Sequence, residues 1–130
     1  MTDQEVTTDS ESQRNVLISV DGSEHSKRAF NFYLNEICKN GDNVVVFHAL
    51  EMPSLPAAPY PYGFAYYEEW QDVTKIADEE AKVLLRGFGD ILKAKSDIKF
   101  KLVKEGGRPG ELICKNIKEE KIKLVILGSR

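Results

Sequence analysis

The residues able to do chemistry fall in a few short stretches. Asp21-Gly22-Ser23 sets a carboxylate and a hydroxyl two positions apart across a turn. Such a carboxylate can accept from a ribose hydroxyl or help hold a divalent cation, and a serine at a helix start can meet an anion. The same three residues equally make a tight turn whose serine caps a helix. EGGRPGE, Glu105 to Glu111, lacks the terminal glycine-lysine-serine or threonine of a phosphate-binding P-loop and reads as a turn that opens a helix. His48 has no serine or cysteine at a recognisable triad spacing, which leaves it a structural or pocket-lining histidine. At the chain's end, Gly128 would let backbone approach a phosphate closely, and Ser129 could donate to one of its oxygens. Neither paired carboxylates nor metal-ligand spacing is visible, so no catalytic residue is assigned.

Regular elements must bring these stretches together. NVLISV, Asn15 to Val20, is a short run rich in β-branched residues and reads as a strand bounded by the DGS turn. Ser23 is the expected N-cap of a helix whose apolar residues Ala29, Phe30, Tyr33, Leu34, Ile37 and Cys38 recur at helical spacing. That helix should stop at Lys39-Asn40-Gly41. NVVVFHAL, Asn43 to Leu50, is apolar throughout, as a central strand covered on both faces should be. Pro53, Pro56, Pro59 and Pro61, interleaved with aromatics as far as Tyr67, predict a long stiffened loop: a flap near a ligand, a lid over the sheet edge or a subunit contact.

A helix is expected from about Tyr67. Its face is drawn through Trp70, Val73, Ala77, Ala81, Leu84, Phe88 and Ile91, widened by Ile76, Leu85 and Leu92. IKFKLVK, Ile98 to Lys104, alternates apolar residues with lysines and reads as a half-exposed edge strand. Pro109 suits the first position of a short helix with Leu112, Ile113, Cys114 and Ile117 inward. Ile122 to Gly128 is the last strand. Strands alternating with helices predict an α/β, doubly wound parallel sheet with right-handed crossovers. Ligands of such sheets sit beyond the carboxyl ends of the strands, where all of the stretches above are expected.

Composition narrows the function classes. The chain has 130 residues, 42% hydrophobic and 30% charged, which suits one domain with a single core. Its net charge is −3, and its lysines alternate with acids, so no nucleic-acid or membrane-surface partner is expected. No apolar run is long enough to cross a bilayer, and no signal segment opens the sequence, which points to a cytoplasmic protein. Cys38 and Cys114 read as buried reduced thiols. Residues 1–13 are expected to be a disordered acidic tail, and 14–130 the domain.

NVLISVDGSEHSKRAF, VVVFHAL, EGGRPGELI and KLVILGSR, in that order, resemble the universal stress protein family from Arg14 to Arg130. The proline- and tyrosine-rich insert resembles animal members. The resemblance implies a five-stranded sheet of order 3-2-1-4-5, here expected to be cut short at the C-terminus, without the fourth helix and fifth strand. One subgroup binds ATP through a loop after the fourth strand: glycine, two residues, glycine, nine residues, then glycine with serine or threonine. Gly128 matches the first of these glycines.

By resemblance, Ser19, Val20, Asp21 and Ala49 would line the adenine and ribose side. Leu127 and Gly128 would shape the floor, and Ser129 and Arg130 would begin the phosphate loop. The implied function is an ATP-binding, nucleotide-dependent stress-response switch, with ATP accompanied by Mg2+, at most slow hydrolysis, and a homodimer as the full-length form. The alternative is a non-nucleotide-binding interaction or dimerisation module of the same fold. A nucleotide-hydrolysing ligase-type domain would need an SGG-type loop where VDGSEHS stands. A phospho-accepting receiver would need an acidic pair where Asp21 stands alone.

Overall fold

A computed structural model describes residues 14–51, 62–95 and 97–128. Strand β1 (Asn15–Ser19) is followed by helix α1 (Glu24–Phe32), a π-helical turn (Tyr33–Ile37) and strand β2 (Asn43–Leu50). Helix α2 (Tyr62–Lys93), strand β3 (Lys99–Gly106), helix α3 (Pro109–Glu119) and strand β4 (Leu124–Leu127) complete the order. The strands form one sheet, β3-β2-β1-β4, and every pairing is parallel. This is the expected α/β architecture, and its order is 3-2-1-4.

The sheet is covered on both faces because its central strands are apolar at consecutive positions. Val16, Ile18, Val20, Val44 and Val46 meet Phe30 and Tyr33 of the first helical segment and Leu85, Phe88 and Leu92 of α2. Leu17, Val45 and Phe47 point the other way, against Leu112 and Ile113 of α3. Burying a large aliphatic or aromatic side chain stabilises by about 1.5–3 kcal/mol, so these two layers supply most of the driving force.

Several elements depart from expectation. α2 begins at Tyr62 rather than near Tyr67, since Pro61 is the last proline of the insert and a proline is excluded from a helix interior but not from the position where a helix starts. Tyr66 and Tyr67 are therefore helical and exposed, with Tyr67 stacked on Trp70. The prolines expected to stiffen the insert, and the acidic tail 1–13, lie outside the described residues. Ala81, Leu85, Phe88 and Leu92 carry the inward row of α2, whereas Val73, Ile76 and Ile91 are exposed.

Cys114 is exposed and Cys38 only half-buried, correcting the reading of both as core thiols. On α3 it is Asn116, bonded to Glu105 Oε1 and to Leu112 O, that is buried. β3 extends to Gly106, two residues beyond the apolar alternation, because β2 runs long enough to pair with Glu105 and Gly106. Lys99 and Lys101 are exposed on that edge as expected, but Lys104 is tied to Asp78 of α2.

The helix after β1 changes character at Tyr33. Cys38 N–H donates to Tyr33 O at 2.8 Å, the wide turn of a π-helix, and Gly41 then takes a φ of 87°. The amino ends of three strands meet here at Asp42, which is 1% exposed. Its carboxylate accepts from Arg14 Nε (2.9 Å) and Nη2 (3.2 Å), from Tyr33 OH (2.5 Å) and from Lys39 N–H (3.1 Å). Burial alone would push this carboxyl up, but the hydrogen bonds from Arg14, Tyr33 and Lys39 outweigh it and hold Asp42 below the usual aspartate range. Burial, then the bond to Asp42, pushes the Tyr33 hydroxyl well above the usual tyrosine range.

Candidate functional site

At the opposite ends of the strands the chain opens instead of closing. β1 and β2 stay in register to Ser19 and Phe47, and Val20 N–H still donates to Phe47 O at 2.8 Å. After that the backbone of β1 turns away. Asp21 N–H donates to Ser26 Oγ at 2.9 Å, and Asp21 Oδ1 accepts from Ser23 N–H at 2.8 Å and from the Ser23 hydroxyl. Ser23 Oγ in turn accepts from Ser26 N–H at 3.2 Å and caps α1. The DGS turn is thus knotted to its own helix through Ser26, a buried residue that sequence reasoning missed. A serine three places after a cap is a common sight, and only its burial marks it.

Ser19, Val20, Asp21, Ala49, Leu127 and Gly128 all line one cleft of about 140 Å³ at the carboxyl ends of β1, β2 and β4. Ser129 and Arg130 lie outside the described residues. His48, read from the sequence as structural or pocket-lining, shares the same walls, as does Pro109 of the glycine-rich turn, and the structure adds Ser26 and Glu51. Glu105, from the glycine-rich turn, is engaged elsewhere: Asn116 and then Lys115 bond its carboxylate and hold it below the usual glutamate range.

Packing alone requires a glycine at position 128. A Cβ there would stand 2.7 Å from His25 C and O and 2.8 Å from Ser26 N, inside the backbone of the first turn of α1. The end of β4 and the start of α1 are pressed together at that point, and any side chain would part them.

His48 is fixed by its Nδ1, 2.8 Å from Val20 O. A carbonyl only accepts, so Nδ1 carries the proton and donates. Alternate residues of β2 turn their backbone toward β1; Phe47 does so, hence Ala49 does too, just past the point where β1 departs. The cleft therefore presents a backbone edge at Ala49, a carboxylate at Asp21 and an apolar floor at Leu127.

The lining holds the acids Asp21 and Glu51 and, among the described residues, neither lysine nor arginine. Hydroxyl-rich groups or a cation suit such walls better than a bare polyphosphate does. No cluster of three or more side chains able to hold a metal occurs among the described residues. The volume is below the roughly 300 Å³ at which small-molecule pockets usually begin.

Comparison with known proteins agrees with this topology. The model of the universal stress protein family matches residues 13–130. The chain belongs to the universal stress protein family. Universal stress protein UspA from Lactobacillus plantarum superposes with a TM-score of 0.71 at 20% identity, over 91% of this chain and 80% of that one. A universal stress protein family member from Burkholderia pseudomallei gives 0.57 at 18% identity, over 90% and 82%. A family protein from Arabidopsis thaliana with AMP bound gives 0.60 at 17% identity, over 89% and 76%. A comparison with curated proteins returned no match. At these identities the likenesses establish the universal stress protein fold. No described helix is long and apolar enough to cross a membrane.

Proposed function

We propose that this protein binds an adenine nucleotide, ATP with Mg2+, at the carboxyl-end cleft and serves as a nucleotide-dependent stress-response switch. The observation that carries this reading is the convergence of Val20, Asp21, Ala49, Leu127 and Gly128 on one cleft at the open end of β1. The structural likeness to a family protein with AMP bound supports it. In this reading the base lies against Leu127 and meets the Ala49 backbone edge with its own donor and acceptor. Asp21, whose carboxylate also holds the Ser23 turn, accepts from the ribose.

The phosphates project past Gly128, with Ser129 and Arg130 beginning their loop and Mg2+ offsetting charge that Asp21 and Glu51 would repel. His48 Nδ1 is engaged by Val20 O and the Asp21 carboxylate by the Ser23 turn, whose hydroxyl caps α1, so binding rather than turnover is the proposed activity.

Isothermal titration of the protein with ATP, ADP, AMP and GTP, with and without Mg2+, tests the reading. Saturable binding selective for adenine is expected; no saturable binding of any adenine nucleotide would overturn it.

A second reading, a homodimerising interaction module, is favoured by the flank of β4. Phe32 and Leu127 are each 55% exposed there, beside a groove of about 620 Å³ between α1 and β4. Among the described residues β4 pairs only with β1. Sedimentation at rising protein concentration tests this, with a monomer throughout counting against it.

A further inference from the structure

Parallel strands exchange hydrogen bonds in a fixed rhythm: a residue that donates to one position of its neighbour accepts from the position two residues further on. Val20 N–H donates to Phe47 O, so the rhythm would next send Ala49 N–H to Val20 O. That bond is not formed; the paired register ends at Ser19 and Phe47. Val20 O accepts instead from His48 Nδ1, a side chain on the very strand whose backbone should have filled it. Val20 itself is 3% exposed, so its carbonyl needs a partner whichever group supplies it.

We infer that His48 is a positioning residue: by taking the Val20 carbonyl, its Nδ1–H stops the β1–β2 ladder one bond short and keeps the Ala49 backbone edge open to a flat, hydrogen-bonding ligand. This inference rests on the nucleotide reading for the ligand, but the device itself belongs to the protein alone. Without the imidazole, the buried Val20 carbonyl would recruit the donor that the ladder offers next, Ala49 N–H. The strands would then zip one step further and the base would lose the edge it reads. His48 also lines the cleft, so a direct contact between its ring and the ligand is the competing role to be separated.

Amide geometry separates the two. The side-chain nitrogen of asparagine falls where Nδ1 of histidine falls, and that of glutamine where Nε2 falls. His48→Asn should therefore keep the bond to Val20 O and bind the nucleotide within about threefold of the parent. His48→Gln and His48→Ala should bind at least tenfold more weakly, with melting curves showing that they fold.

The opposite order, with His48→Gln retaining affinity and His48→Asn losing it, would overturn positioning in favour of direct contact. A ligand-free readout stands beside this: hydrogen exchange at the Ala49 amide should be fast in the parent and in His48→Asn, and slowed at least tenfold in His48→Ala. Unchanged exchange at Ala49 in His48→Ala would overturn the inference. If no adenine nucleotide binds the parent, the nucleotide reading fails, while the exchange experiment still decides the role of His48.

Discussion

Two aspartates sit at the two ends of the same sheet and have opposite surroundings. Asp42, ahead of β2, is closed in by Arg14, Tyr33 and the Lys39 amide, and it fastens the end of the first helical segment to the sheet. Asp21, after β1, bonds its own turn at Ser23 and Ser26 and borders a cleft. At the amino ends a buried carboxylate is closed in by donors from three residues. At the carboxyl ends the DGS turn is bonded to its own helix, His48 holds Val20, and a backbone edge is left facing space. Stability is concentrated at one end of the strands and openness at the other, and a parallel sheet permits this because all of its strands end on the same side.

The sharpest way to break the contrast is Asp42→Ala. It leaves the Arg14 guanidinium and the Tyr33 hydroxyl facing a void, and breaking a buried ion pair in this way costs about 3–5 kcal/mol. Urea unfolding should show a loss of that order, and the remaining folded protein should keep its nucleotide affinity. Unimpaired stability would mean that the two ends do not differ as described.

Acid provides a milder form of the same test. Because the folded carboxyl of Asp42 is held low, its contribution is present above the unfolded value near pH 4 and is lost as pH falls through its folded value. The raised Tyr33 hydroxyl acts at the other extreme: its contribution is present below about pH 10 and is lost as pH rises through the folded value. Melting temperatures from pH 7 down to 3 should fall more steeply for the parent than for Asp42→Asn.

Tyr33→Phe removes one hydrogen bond to a charged group and should cost about 1.5–3 kcal/mol by urea unfolding. Gly128→Ala tests the other end. Its Cβ must push back the first turn of α1, at about 1–3 kcal/mol, and should weaken nucleotide binding at the same time, because that turn carries Asp21 to the cleft. Asp21→Ala is expected to move stability least, by about 1 kcal/mol, since the Ser23 cap on Ser26 remains. Titration of that variant should nevertheless show at least tenfold weaker nucleotide binding. A large stability loss with unchanged affinity would reverse the comparison.

Much of this was legible in the sequence because the signals were local. The apolar runs at Asn15, Asn43 and Lys123, separated by helical periods, give a parallel sheet by chirality and connection length alone. The stretches after those strands placed Asp21, Ala49 and Gly128 on one side, because strands of one parallel sheet share their carboxyl side, whereas Leu127 came from the family resemblance.

What could not be read depended on pairs far apart. Nothing near Tyr33 announces a π-turn, whose reward is a hydroxyl bond to Asp42. Ser26 and Asn116 look like ordinary helix-surface residues until tertiary contacts bury them. Gly128 suggested phosphate approach, while its packing reason lay in His25, more than a hundred positions earlier. Val73 and Ile76 continued the apolar period of α2 into a region where the inward row no longer holds them.

The place of β1 in the sheet also bears on how the chain must fold. This first strand lies between β2 and β4, and the side-chain amide of Asn15 bonds Glu120 O across a separation of 105 positions. During synthesis β1 and β2 can meet early, but the far side of β1 stays bare until β4 has left the ribosome. At elongation rates of about 5–20 residues per second, that interval lasts several seconds. For that time an apolar strand with an open ladder is exposed to whatever else is nearby. This protein should therefore depend on chaperones during synthesis more than its modest size suggests.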